Sequence, residues 1–406
     1  MSEYGPIFSI FDRDGRSLAA DLTSEFDSAI AVGWSEVSRK LNEGLPAAII
    51  VDAANAGVRA VETLARRLAA AEPYIPLIAL DPAGELPGKA IPFTTAAGNL
   101  DRLIARLRAA LRVRALHATM LRRQSDHSST AMLPDTDPLQ DATVLLLGRG
   151  TSYPTLSVAL GEKVGVVGAL SIEAAAKHLN ARDVDGIVIG DGFTARVLDA
   201  FLAVLSEDPR FRNLPIIAPT ANCNYDLPNL EATSDPAQIM ICALPLIRQH
   251  AFEQRVTRIL RSIDAGGLLD PRSGLLTAAA FDRDLATAIE QAQAHRSGLS
   301  IVRFSFSEIH PREQYDAARI LSRLMRRMDF ATLHDDGSMT AVFVEVGARN
   351  AAAIAKRLAS VMKHTVYSAR RGTRLDPHIE IETLRKGDTA ATLLARLGKD
   401  ARRAAS

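Results

Sequence analysis

Residues 6–115 and 143–263 repeat one grammar, in which short aliphatic runs alternate with helical stretches. In the first repeat Ile7–Phe11, Ala47–Val51, Pro76–Leu80 and Ala90–Phe93 read as strands, and Val58–Ala71 and Leu100–Leu111 as helices. Strands separated by helices of this length argue a parallel sheet with helices on both faces. Gln124–Pro138, rich in Ser, Asp, Thr and Pro, reads as a linker. The second repeat has expected strands over Thr143–Leu147, Gly186–Ile189, Pro215–Pro219 and Ile239–Leu244, with helices over Ser171–Leu179, Ala195–Leu205 and Leu246–Ile263. From Asp270 the grammar changes to helix Ala279–His295, strand Leu299–Phe306, helix Tyr315–Arg327, a hairpin through Asp335–Ser338, helix Ala348–Lys363 and strand Pro377–Glu382. That order predicts an α+β unit with antiparallel pairing. The expected division is 1–124, a linker over 125–140, 141–266 and 267–406.

Composition narrows the function classes. With 47% hydrophobic and 23% charged residues in 406, the chain is globular material. Forty-eight Lys+Arg against 47 Asp+Glu leave a formal charge of +1, so no global field favours DNA or an anionic membrane, and a nucleotide site has to be local. Cys223 and Cys242 are too few for a disulfide framework or a cysteine zinc site. The N-terminus has no basic segment with an apolar core behind it, and no run approaches membrane-spanning length. A soluble cytoplasmic protein, without DNA binding or membrane insertion, is the expectation.

Acidic residues cluster at strand ends of the first repeat: Asp12 and Asp14 follow strand one, and Asp52 closes Ile49-Ile50-Val51-Asp52. In strand–helix order and length, both repeats resemble the flavodoxin-like receiver domains of two-component signalling. The resemblance implies that Asp12 and Asp14 hold Mg²⁺ beside a phosphoacceptor Asp52, with a histidine kinase as donor. Two departures weaken it: Asp81 stands where Thr or Ser is expected, and Thr94-Thr95-Ala96 where Lys-Pro is expected. An extra carboxylate and a missing cation both disfavour an incoming phosphoryl dianion. In the second repeat Gly148-Arg149-Gly150 follows the first strand with no acidic pair, while Asp191 lies near the end of the third. Leu244-Pro245-Leu246 is reminiscent of the Lys-Pro turn without its lysine, and the glycine pair lacks the third glycine of a dinucleotide loop. This repeat is expected to be an adaptor or dimerisation surface.

The last unit opens with Asp270-Pro271-Arg272-Ser273-Gly274-Leu275-Leu276-Thr277 and Phe281, and carries Arg326-Arg327-Met328-Asp329 five residues before Asp335-Asp336-Gly337-Ser338-Met339. This pattern resembles the GGDEF family, in which Arg-x-x-Asp binds cyclic di-GMP and the turn reads Gly-Gly-Asp/Glu-Glu-Phe. Here the turn is altered and the binding element is kept. Aspartates replace both glycines, Gly337-Ser338 replaces the acidic pair, and Ser305 stands at the family's first metal position. Side chains and negative charge thus sit where a triphosphate and its metals belong, so no diguanylate cyclase activity is expected. Asp335 and Asp336 then read as a solvated hairpin tip.

With two receiver-like repeats before it, the architecture resembles PleD-type cyclases and, given the turn, PopA-type cyclic di-GMP effectors. A guanidinium donates to guanine O6 and N7 while a carboxylate accepts from N1–H and N2–H, and residues i and i+3 of a helix share a face, so Arg326 and Asp329 are expected to address one guanine together. Arg357, in Ala355-Lys356-Arg357-Leu358, is the arginine that the resemblance implies completes the site across a homodimer. The resemblance further implies localisation to a cell pole and delivery of a cell-cycle regulator to the ClpXP protease through an adaptor. Two other readings stand beside it: a phosphorylation-driven response regulator acting through Asp52, and a scaffold with a vestigial nucleotide site, Arg326–Asp329 then being a surface ion pair.

Overall fold

The central strands of the two repeats are almost wholly apolar, the buried Ser9 among the exceptions, as a sheet covered on both faces requires. The computed structural model describes residues 5–11, 15–26, 28–82, 84–95, 100–126, 132–219, 225–307, 309–365 and 375–404. They fall into two units, one of residues 1–127, 135–175 and 184–257, the other of 128–134, 176–183 and 258–406.

The first repeat runs β1 (Ile7–Ile10), α1 (Gly15–Phe26), β2 (Ala29–Val32), α2 (Val37–Glu43), β3 (Ala48–Asp52), α3 (Ala53–Ala56), α4 (Val58–Leu68), β4 (Leu77–Leu80), β5 (Ala90–Phe93) and α5 (Leu100–Asp126). Its strands pair in parallel in the order β2-β1-β3-β4-β5. The second repeat is β6 (Thr143–Leu147), α6 (Tyr153–Gly161), β7 (Gly165–Ala169), α7 (Ile172–Ala181), β8 (Gly186–Ile189), α8 (Ala195–Glu207), β9 (Ile216–Ala218), β10 (Leu230–Ala232) and α9 (Pro236–Asp264). Its order, β10-β9-β8-β6-β7, is the same flavodoxin-like arrangement.

Two expectations fail here. Ile239–Leu244 is not the fifth strand but the second turn of α9, with Ile239, Cys242, Ala243, Leu246 and Ile247 buried at helical spacing. Pro245 accordingly lies inside that helix rather than in a turn. The fifth strand is β10, three residues with a glutamate at the centre. In addition, α5 continues through Gln124 to Asp126, into the segment that composition marked as linker.

One core runs through both repeats. Leu103, Leu107, Ala110 and Leu111 of α5 belong to the same buried cluster as Ile239, Ala243, Ile247 and Ala251 of α9. Within that seam Arg106 and Glu231 form an ion pair whose side chains are 1% and 4% exposed. Arg106 also donates to the backbone oxygens of Pro92 at 2.7 Å, Pro228 at 2.9 Å and Leu230 at 3.1 Å, so each arm of the guanidinium is occupied.

His117, on the same helix, is 5% exposed; its Nδ1 accepts from the Tyr74 N–H at 3.0 Å and its ring meets Phe252 edge-on at 5.3 Å. Burial, with the Lys89 and Arg114 charges nearby, pulls the imidazole from 6.5 down to about 4. The neutral form is therefore the stabilising one: its contribution is whole above pH 6.5 and is lost as pH falls through 4. Chemical denaturation is expected to show up to about 3 kcal/mol of stability lost over that interval, and a shallower pH slope in His117→Gln.

The second unit contains α10 (Ala278–His295), β11 (Leu299–Ser305), α11 (Pro311–Leu324), β12 (Phe330–Leu333), β13 (Met339–Val344), α12 (Ala348–Thr365), β14 (His378–Thr383) and α13 (Ala390–Ala404). Its four strands pair antiparallel in the order β12-β13-β11-β14. Alternation along β11 divides the cores: Val302 and Phe304 pack with α11 and α12, Leu299 and Ile301 with α10 and α13. No helix among the described residues is long and apolar enough to cross a membrane.

Candidate functional site

Pro311 occupies the first turn of α11, and His310 caps it with Glu313 in a reciprocal capping box, so this helix starts and ends earlier than expected. Its last residue is Leu324. Arg326 and Asp329 therefore lie not on a helical face but in the turn that leads into β12, closed by the Asp329 N–H on the Arg326 carbonyl at 3.1 Å. The turn still brings the two residues together. The Arg326 side chain is exposed and makes no hydrogen bond or ion pair among the described residues, whereas Asp329 is 9% exposed and accepts from the Val344 N–H at 3.2 Å. Burial pushes the Asp329 carboxyl up, against the pull of the Val344 and Arg326 N–H groups and the Arg326 charge. Asp329 thus ties the turn to the end of β13, leaving the Arg326 guanidinium free to meet an anion or a purine edge.

Arg357 sits on α12, whose Ala351, Ala355, Leu358 and Met362 face the core. It is exposed, as are Arg349 and Lys356 of the same helix and Arg327 of the turn. No contact among the described residues joins Arg357 to Arg326.

The hairpin between β12 and β13 is internally satisfied rather than merely solvated. Asp336 accepts from the Ser338 N–H at 2.9 Å, the Ser338 hydroxyl at 2.6 Å and Nη2 of Arg303 at 2.6 Å. Burial works to raise this carboxyl, but the Ser338 bonds and the Arg303 charge outweigh it and hold the group below the usual range. Gly337 has φ +82°, and a Cβ there would stand 3.0 Å from Cγ2 of Ile309. Arg303 was missed in the sequence; the only sign of it is a lone charge in an otherwise apolar strand, Leu299–Ser305. Among the described residues no group of three or more His, Cys, Asp or Glu is placed to hold a metal ion.

In the first repeat Asp52 caps α3, accepting from Asn55 N at 3.3 Å and Nδ2 at 2.8 Å. Asp81, at φ +45°, accepts from Thr95 through both its N–H, at 2.8 Å, and its hydroxyl. Asp81 and Thr95, from the two strand ends that depart from the receiver pattern, thus bond each other. Asp12 and Asp14 lie outside the described residues. In the second repeat Asp191 accepts from the Ser152 hydroxyl and the Ser152 N–H at 3.3 Å, which hold its carboxyl low, and also from the Thr151 N–H at 3.0 Å.

No family model matches this chain, and no curated protein matches it in sequence. Among solved structures, the neighbours include GGDEF domains and a diguanylate cyclase. The coiled coil and GGDEF domain of DgcB from Caulobacter crescentus, in complex with c-di-GMP, is 15% identical, covers 37% of this chain and 88% of its own, and gives a TM-score of 0.31. The diguanylate cyclase SiaD from Pseudomonas aeruginosa, bound to its activator SiaC, is 17% identical over 37% of this chain and 65% of its own, with a TM-score of 0.31. The FimX GGDEF domain from Pseudomonas aeruginosa is 20% identical over 34% of this chain and 93% of its own, with a TM-score of 0.28.

Proposed function

We propose that this chain is a cyclic di-GMP effector that does not make its ligand. The observation that carries the reading is the Arg326–Asp329 turn, where an exposed guanidinium without a partner among the described residues stands in one turn with a carboxylate anchored to β13. A cyclic dinucleotide offers such a site guanine O6 and N7 for the arginine, N1–H and N2–H for the carboxylate, and two phosphodiesters for further cations. Arg357, with Lys356 and Arg349 beside it, supplies those cations from the exposed side of α12, in a second copy when the ligand bridges a dimer. The output runs through protein partners, with the two flavodoxin-like repeats as docking modules. Delivery of a cell-cycle regulator to ClpXP at a cell pole is the form of output that the sequence resemblance alone supports.

The hairpin argues against synthesis. Its tip carries Asp335 and Asp336 in the turn where the sequence resemblance implies that a nucleotide's phosphates and metals would lie, and Arg303 pairs with Asp336 there. Incubation of the full chain with GTP and Mg²⁺, followed by chromatography of the nucleotides, is expected to yield no cyclic di-GMP; turnover of GTP to the cyclic product sinks the non-catalytic half of the proposal. Asp52 gives no comparable support to a phosphorylation-driven reading, since its carboxylate caps α3 and Asp81 and Thr95 engage each other.

A further inference from the structure

Arg303 of β11 and Glu380 of β14 are direct cross-strand partners, so their side chains leave the same face of the sheet. Glu380 is 7% exposed, and neither of its carboxylate oxygens has a hydrogen-bond partner among the described residues. His378 Nε2 stands 3.8 Å from Oε1, beyond hydrogen-bond reach. The Arg303 guanidinium turns instead toward the hairpin, donating to Asp336 at 2.6 Å and to the Ser338 hydroxyl at 3.1 Å. One cation therefore shares its face of the sheet with two carboxylates, an exposed one that it serves and a buried one that has no hydrogen bond among the described residues and only the distant His378 beside it. A buried carboxylate without a partner is among the most unfavourable groups a fold can carry, and an arginine stem is long and flexible enough to reach either acceptor.

We propose that Arg303 is a two-position switch that alternates between Asp336 at the hairpin tip and Glu380 beneath it. In the first position the tip is tethered: Asp336 holds the Ser338 N–H and hydroxyl, and Arg303 holds both residues to the sheet. In the second position the charge of Glu380 is compensated and the tip keeps the bonds that do not involve Arg303: Asp336 with Ser338, the Gly337 N–H on the His334 carbonyl at 3.0 Å, the His334 N–H on the Ser338 carbonyl at 2.8 Å, and Gln314 on the His334 carbonyl at 3.5 Å. His334 and Thr340, the register partner of Arg303, bond each other at 2.8 Å. The tethered tip opens β13 and the Asp329 anchor closes it at Val344, so the switch sets how firmly the strand behind the Arg326–Asp329 turn is held at its far end.

A double-mutant cycle in the full chain tests this, with Asp336→Asn, Glu380→Gln and both together, each also in an Arg303→Met background. Both carboxylate substitutions conserve volume, so neither opens a cavity. Asp336→Asn alone is expected to move Arg303 onto Glu380, raising hydrogen exchange at residues 334–339 by about fivefold or more while leaving the melting temperature within about 2 °C. Glu380→Gln is expected to leave hairpin exchange unchanged and to raise the melting temperature. The double variant is expected to fall below the sum of the two by more than about 3 °C, because the guanidinium then has no carboxylate, and Arg303→Met is expected to erase that excess. Additive effects in the Arg303 background, or wild-type hairpin exchange in Asp336→Asn, would overturn the proposal.

Discussion

Glu231→Ala is expected to destabilise the first unit by about 3–5 kcal/mol, the usual consequence of leaving one member of a buried ion pair without its counter-charge. Arg106 would keep the Pro92, Pro228 and Leu230 carbonyls, which satisfy its donors but do not neutralise its charge. Because α5 and α9 share one buried cluster, the loss is not confined to one repeat. Both repeats are expected to unfold in one transition at lower denaturant, followed by circular dichroism. A paired replacement, Arg106→Met with Glu231→Leu, is expected to recover most of the stability, since apolar groups of similar volume carry no desolvation cost. A mild single effect with no recovery in the pair would mean that the seam is held by its apolar contacts alone.

Arg326→Ala is expected to weaken cyclic di-GMP binding by about 1–3 kcal/mol, roughly 5- to 150-fold, because a bidentate arginine–guanine contact is lost. The side chain is exposed and has no partner among the described residues, so melting behaviour is expected to stay at the wild-type value. Asp329→Ala separates the two residues. Its carboxylate anchors Val344 and is nearly buried, so this variant is expected to lose stability as well as affinity. Equal loss of stability in both variants would contradict the division of labour between a reading arginine and a positioning aspartate.

The strands were legible wherever burial on both faces demanded an uninterrupted apolar run, as in β3, β6 and β8. Ile239–Leu244 satisfies the same description, and periodicity over six residues does not separate a buried strand from a buried helix. The true edge strand, Leu230-Glu231-Ala232, was hidden because its glutamate is acceptable there only through Arg106, which is 125 positions away in sequence. The Arg326–Asp329 element was legible as a motif, but its setting was not. A helix over Tyr315–Arg327 is what side-chain spacing implies, while the Pro311 and His310 start signals shift the whole element toward the N-terminus and leave the motif in a turn. Arg303 and Glu380 meet only through the antiparallel register of β11 and β14, a relation that no local pattern encodes.

Isothermal titration of cyclic di-GMP into the full chain, with GTP as the comparison ligand, tests the central claim most directly. Saturable binding of the cyclic dinucleotide, weakened in Arg326→Ala, and no binding of GTP are expected. An absence of heat from the wild-type protein at ligand concentrations well into the micromolar range, or binding that Arg326→Ala leaves intact, would contradict it.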